Sequence, residues 1–243
     1  MIRILVPVAG EGKKFKERGY SFPKPLIQIG SKPMIHAVVD NLKTVKPHEF
    51  IFICLRADAE KYYLYDLFKV ISPTSKIFTV EKPTAGAACT ALVPVELLDN
   101  NEELIIANGD QIIDVPLDSF IDDARARNLD ASILTFESTH PKWSFVKTDS
   151  SGLVIEAAEK KTISNKATAG IYYYRTGKLF IDAVTKMIEK DVRHESQFYI
   201  CPSFNELILS GKKIGTFEID YDKMHSLGTP EDLDVYLGRI KKN

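Results

Sequence analysis

The segment "IRILVPVAGEGKKFKERGYSFPKPL" (Ile2–Leu26) joins a short apolar run to a polar stretch holding Gly10, Gly12, Gly19, Pro23, Pro25 and four lysines. An apolar run without alternation is the pattern of a strand covered on both faces. In an open sheet of such strands, ligands collect outside the carboxyl ends. The loop after Pro7 is therefore where a site is expected. Gly10 and Gly12 let the backbone approach a ligand closely and expose N–H groups suited to an anion. Lys13, Lys14, Lys16 and Lys24 add positive charge, and Pro23 and Pro25 predict an extended, restricted Lys24. Two common phosphate motifs do not apply. A dinucleotide fingerprint needs glycine where Phe15 stands, and the Gly-Lys-Ser/Thr of a P-loop is missing. Taken alone, such a loop is equally a solvated turn.

Beyond it, "PMIHAVVDNL" places Met34, Ile35, Val38, Val39 and Leu42 on one helical stripe, and "FIFIC" (Phe50–Cys54) reads as a second buried strand. A helix over 57–68, a strand "KIFTV", a helix over Ala87–Val95, a strand "ELIIAN", a helix around Leu117–Ala124 and a strand "ASILTF" continue the alternation. This rhythm predicts a mostly parallel sheet clothed by helices. After about residue 135 it changes. "SFVKTD", "LVIEAAE" and "ATAGIYYY" are strands joined by short polar turns, as antiparallel additions would be. A helix over Leu179–Ile188 follows. The last helix has Thr229 as N-cap, Pro230 at its first position and Asp232 closing a capping box. The fold class expected is α/β, three layers around a mixed, mostly parallel sheet. A single domain is expected over 1–243, with a nucleotide-binding half at about 1–135 and an acceptor-binding half at about 136–243.

Composition narrows the function. Thirty-two Lys and Arg against 33 Asp and Glu give a net charge of -1, without the basic excess of a nucleic-acid binder. Cys54, Cys89 and Cys201 form no CxxC pair, so structural zinc and disulfides are not expected and a reducing compartment is. The N-terminal apolar stretch is shorter than a signal-peptide core, and no run approaches the ~18 apolar residues of a membrane span. A soluble cytoplasmic protein is expected.

"LIIANGDQ" sets Asp110 just past a buried strand, on the same edge as the glycine loop if the sheet is parallel. Magnesium needs only one or two carboxylates when phosphates and waters complete its shell. "DYD" (Asp220–Asp222) is a second acidic pair, read either as an exposed turn or as the Asp-x-Asp of a nucleotide-sugar-dependent glycosyltransferase.

"GEGKKF", "FPKPLIQIGSKPMI", "NGDQ" and "EAAEKK…ATAGIYYY", in that order, resemble the signature series of the sugar-phosphate nucleotidylyltransferases, which have the Rossmann-like nucleotide-diphospho-sugar transferase fold. The resemblance implies that Ala9, Gly10, Glu11, Gly12 and Lys13 wrap a triphosphate. It places Lys14 and Lys24 as catalytic cations, and Gly86, Asn108 and Gly109 beside the nucleotide. Asp110 matches the family's metal-binding aspartate, with Mg2+ as cofactor. Glu159 would hydrogen-bond sugar hydroxyls, Lys160 would neutralise the acceptor phosphate, and Gly170 would let the ring lie against backbone. Two positions depart from the pattern. Lys14 stands for the family's arginine, losing the bidentate fork. Ser226 occupies the slot of an aspartate two residues before Gly-Thr, which leaves Asp222 or Asp220 as candidate second metal ligands.

The reaction so implied joins a nucleoside triphosphate to a phosphorylated small molecule and releases pyrophosphate. The acceptor is a sugar 1-phosphate or a non-sugar such as phosphocholine. A glycosyltransferase and a non-catalytic sensor of the same fold are the alternatives. At this length no long C-terminal acyltransferase-type extension is expected, and a homo-oligomer is compatible with everything above.

Overall fold

The computed structural model describes residues 1–241. The strands are β1 (Ile2–Pro7), β2 (Gln28–Ile29), β3 (Lys32–Pro33), β4 (His48–Leu55), β5 (Lys76–Val80), β6 (Glu103–Ala107), β7 (Gln111–Ile113), β8 (Ala131–Glu137), β9 (Phe145–Thr148), β10 (Val154–Ala158), β11 (Lys166–Tyr174), β12 (Ile214–Ile219) and β13 (Met224–Ser226). The helices are α1 (Lys13–Glu17), α2 (Met34–Asn41), α3 (Arg56–Lys61), α4 (Leu64–Ile71), α5 (Ala87–Ala91), α6 (Val95–Leu98), α7 (Leu117–Ala126), α8 (Gly177–Glu189), α9 (Ile200–Leu209) and α10 (Pro230–Ile240).

Nine strands form the central sheet. β1 lies between β4 and β6, parallel to both, with Ile4 opposite Phe50 on one side and Ile105 on the other. β5 extends this parallel block beyond β4. β11 then runs antiparallel to β6 and β8, and β12 lies parallel on the far side of β8. β9 pairs with the start of β11, and β10 pairs with β9. The expected shift from parallel to antiparallel pairing is thus present, and the sheet is mixed.

Side-chain alternation in β1 explains the layers. Ile2, Ile4 and Val6 enter one apolar cluster with α2, α4 and α7, while Leu5 enters another with α5, α8 and α9. A strand buried on both faces needs apolar residues on both, which is why "ILVP" (4–7) does not alternate. Arg3, near the strand's start, is paired with Glu49 and Glu102. Helices cover both sides, giving three layers. The carboxyl ends of β1, β4 and β6 consequently open on one edge.

Several elements differ from the periodicity reading. The helix expected over 57–68 is two, α3 and α4, separated where Tyr63 takes a left-handed backbone (φ 54°). The helix expected over Ala87–Val95 stops at Ala91, and α6 restarts after Pro94, which has no N–H to donate to an unbroken helix. The lysine-rich loop contains a short helix, α1, pinned by buried Phe15. Lys24 is not extended. It begins a 3-10 turn in which Leu26 N–H donates to Pro23 O at 2.9 Å and Ile27 N–H to Lys24 O at 3.1 Å. Neither α9 nor β12 was legible as a periodic segment. Among the described residues no helix is long and apolar enough to cross a membrane.

Asp118, in the first turn of α7, braces the segment before β4. It accepts from Lys46 Nζ at 2.7 Å and from the Thr44 hydroxyl, and these contacts depress its carboxyl to about 2. A depressed acid stabilises the fold above its ordinary value, near 3.8, and loses that contribution as pH falls through about 2. We expect Asp118→Asn to lower the melting temperature by about 2–4 °C at pH 7. The gap to the parent should close in thermal melts run between pH 4 and pH 2.

Candidate active site

A cleft of about 700 Å³ opens at the carboxyl edge of the parallel strands. β1 ends at Pro7, and Val8 N–H reaches across to Ile53 O at 2.8 Å, which fixes the start of the glycine loop. Gly12 takes a left-handed backbone (φ 62°) as N-cap of α1, and its carbonyl accepts from Phe15 and Lys16 N–H. A side chain there would strain that turn. Ala9, Gly10, Glu11, Gly12 and Lys14 face the cleft. Lys13 does not line it; its exposed ammonium pairs with Glu11 at 3.0 Å.

Lys24 enters from the next turn. Its Nζ lies 5.5 Å from the centre of the Phe15 ring, donates to Gly228 O at 3.1 Å and forms an ion pair with Asp110. Asp110 sits in the turn between β6 and β7, where its own carbonyl accepts from Leu227 N–H at 2.8 Å. β7 and β13 pair antiparallel, Gln111 opposite Ser226. That register brings Ser226, Gly228, Thr229 and Asp232 against the turn carrying Asp110, all of them on the cleft wall.

The same register corrects the choice of second metal ligand. Asp220 and Asp222 lie beyond Met224, which is opposite Ile113 at the far end of the ribbon. Asp220 pairs with Lys223 at 3.3 Å, the Asp222 carbonyl accepts from Arg239, and neither residue lines the cleft.

Another wall of the cleft is built on β11. Its pairing with β8 shifts register between Thr168 and Tyr172, and Gly170, at φ 68°, sits in the break. Asn108 N–H donates to Gly170 O at 3.0 Å, and a Cβ on Gly170 would collide with the Asn108 and Gln111 carboxamides. Only glycine satisfies both the angle and the space. Asn108, Gly109, Gly170, Glu159 and Lys160 all line the cleft. Glu159 accepts from the Ser144 hydroxyl. Lys160 is held in a left-handed backbone (φ 48°), uncommon for a residue with a Cβ, and donates to Tyr199 OH at 3.2 Å and Glu195 at 3.3 Å. Gly86 caps α5 against the 196–200 segment: Phe198 N–H donates to Ala85 O at 2.8 Å, and Ala88 N–H to Phe198 O at 3.0 Å.

A family model described as Nucleotidyl transferase matches residues 4–215. The chain belongs to this family. It is 29% identical to mannose-1-phosphate guanylyltransferase 1 of Arabidopsis thaliana over 177 residues, 70% of this chain and 49% of that protein. The chain spans about half the length of the curated relatives it matches. The solved nucleoside-diphosphate-sugar pyrophosphorylase of Vibrio cholerae RC9 superposes with a TM-score of 0.82 at 21% identity, over 98% of this chain and 100% of that one. A UDP-glucose pyrophosphorylase complexed with UDP-glucose gives 0.79 at 18% identity, over 100% and 99%. At those identities the likeness establishes the fold.

Four lysines (14, 24, 142, 160) and four acids (Glu11, Asp110, Glu159, Asp232) line the family's cleft in this chain, so its fixed charges cancel. The sequence reading singled out neither Lys142, Ser144 nor Tyr199, and read Asp232 only as a helix-capping residue. Lys142 Nζ lies 4.5 Å from the centre of the Trp143 ring and donates to Asp232 at 3.1 Å. Asp232 does not close a capping box. Its N–H donates to Thr229 Oγ1 at 3.1 Å, but its carboxylate turns to Ser226 and Lys142. Burial pulls the Lys160 ammonium down, and Tyr199 and Glu195 outweigh it, leaving Lys160 more firmly protonated than usual. Burial pushes the Glu159 carboxyl up, only partly offset by Ser144 and Lys160.

A raised acid favours the fold below its ordinary value, near 4.5, and loses that contribution as pH rises through the folded value. Glu159→Gln, which keeps an acceptor for Ser144, is therefore expected to melt higher than the parent at pH 7.5. The difference should shrink toward pH 4. Equal melting temperatures at pH 7.5 would contradict a desolvated carboxylate.

Proposed function

We propose that the chain is a magnesium-dependent nucleotidyltransferase. It moves a nucleoside monophosphate from a nucleoside triphosphate to a sugar 1-phosphate, giving a nucleoside-diphosphate sugar and pyrophosphate. One observation carries the reading: Lys14, Lys24, Asp110, Glu159 and Lys160, scattered over the sequence, line one cleft at the carboxyl edge of the sheet. Family membership supports the same class of chemistry. Since a named relative is a mannose-1-phosphate guanylyltransferase, GTP with mannose 1-phosphate is the first pair to test. A cytoplasmic setting, where triphosphates are held, suits this reading.

In this reaction an oxygen of the acceptor phosphate attacks the α-phosphorus, the bond from that phosphorus to the bridging oxygen breaks, and pyrophosphate leaves with the bond electrons. A phosphate monoester has its second pKa near ~6 and is largely dianionic at neutral pH. The attack therefore needs no side chain to remove a proton. The obstacle is repulsion between two polyanions, and catalysis reduces to alignment and neutralisation. Lys14 and Lys24, on the glycine-loop side, meet the triphosphate, with Lys24 moving its ammonium from Asp110 to phosphate oxygen. Lys160, held by Tyr199, meets the acceptor phosphate. Glu159 accepts from sugar hydroxyls, and the bare backbone at Gly170 lets the ring lie close.

Because the fixed charges of the cleft cancel, the lysines alone do not balance the two substrates. Asp110 is a hard oxygen donor at the cleft edge with an ammonium already against it, which fits a divalent cation. When bound, magnesium supplies the missing positive charge on the phosphates.

A pyrophosphate-release screen crossing the four common triphosphates with sugar 1-phosphates and phosphocholine tests the reading. Turnover is expected with a sugar 1-phosphate. Lys24→Ala should cost about 10²–10³ in kcat with the fold intact by circular dichroism. Consumption of a nucleotide sugar without pyrophosphate would instead identify a glycosyltransferase.

A further inference from the structure

We propose that Asp232 is the second carboxylate of the divalent-cation site, doing with Asp110 what no residue of the 220–222 turn can do. The inference rests on the nucleotidyltransferase reading and concerns how this chain builds its cation site.

The geometry centres on Gly228. A Cβ there would lie 3.3 Å from Ser226 Oγ, 3.6 Å from Asp110 Oδ2 and 3.9 Å from Asp232 Oδ2. Three oxygens, two of them anionic, thus face a small volume that any other residue at 228 would begin to fill. A cation already belongs to this array, since Lys24 Nζ contacts both Asp110 and the Gly228 carbonyl.

Asp232 is aimed there. In a capping box the carboxylate at this position folds back on the N-cap N–H. Here Thr229 caps the helix through the Asp232 N–H alone, which leaves the carboxylate free to project into the cleft. Ser226 Oγ donates to its Oδ2 at 2.9 Å and sets its direction. A short hydroxyl residue at 226 thereby orients a carboxylate supplied six positions later, from the first turn of α10.

The charge arithmetic supports an exchange. Each carboxylate is paired with one lysine, Asp110 with Lys24 and Asp232 with Lys142. Both lysines line the cleft, within the space a triphosphate and a phosphorylated acceptor would fill. Once their ammonium groups turn to phosphate, two anionic groups face one another across a glycine. A divalent cation restores the balance, and magnesium in particular takes one or two carboxylates while keeping waters and phosphate oxygens.

The test is Mn2+ binding, followed by the electron paramagnetic resonance of free ion. The titration uses protein saturated with an α,β-methylene analogue of GTP and is corrected for the analogue alone. Asp232→Asn is expected to weaken Mn2+ binding about tenfold or more, as Asp110→Asn does, and Ser226→Ala less than either. Adding Ser226→Asp to Asp232→Asn should recover most of the loss, which a purely structural defect would not allow. Loss in Asp110→Asn with Asp232→Asn within twofold of the parent overturns the proposal, making Asp232 a brace for Lys142. If neither variant changes Mn2+ binding, the metal-dependent reading falls as well.

Discussion

One ammonium group holds together three turns that the chain keeps far apart. Lys24 Nζ meets Asp110, 86 residues later, and the Gly228 carbonyl, 204 residues later. Through it the glycine loop after β1, the turn after β6 and the turn before α10 share one point. Both members of the pair are partly buried. The positions of Ser226, Thr229 and Asp232 follow from that point, because the β7–β13 ribbon carries them to the same edge. The sheet supplies the edge, and this contact gives the edge its shape.

Three of the four cleft lysines have partners within the protein. Lys24 with Asp110, Lys142 with Asp232, and Lys160 with Glu195 and Tyr199 each satisfy a lysine within the protein. In the proposed reaction the site takes polyanions, and such a site faces a difficulty when empty: bare lysines repel one another and lose packing. Pairing them with carboxylates and a phenol lowers that cost. It also gives Lys24, Lys142 and Lys160 defined positions from which, in the proposed reaction, phosphate oxygens take them over. Ion pairs that are half exposed are weak, and weakness suits partners that must separate.

What the sequence disclosed was local. The apolar run, the paired glycines, Lys24 and Asp110 are each recognisable within a dozen residues of their neighbours, because strand ends and turns have short-range chemistry. Of the residues read in this way, Lys13, Lys16, Asp220 and Asp222 fall off the cleft wall. Lys13 sits on α1, where one residue's rotation decides whether an ammonium faces in or out. The Asp220–Asp222 turn was misjudged because a two-strand register decides which end of a ribbon meets Asp110, and no property of "DYD" encodes it. Lys142, Ser144, Tyr199 and Asp232 were illegible for the converse reason. Each has an ordinary local setting, and each acquires its place from pairing between strands or from packing of helices. The missed β12 and α9 show the same limit: "ICPSFNELIL" is buried on most sides, "KIGTFEI" lies at the sheet's edge, and neither displays a clean period.

The two lips of the cleft are fastened differently. Beside Gly86, main-chain amides of Ala88 and Phe198 are stitched reciprocally, so that rim moves with the body of the molecule. Elsewhere on the cleft wall, Lys142 and Asp232 meet only through the tips of their side chains. The molecule is built like a clasp with a fixed jaw and a sprung one. Parting Lys142 from Asp232 requires only rotamer changes and no unzipping of backbone.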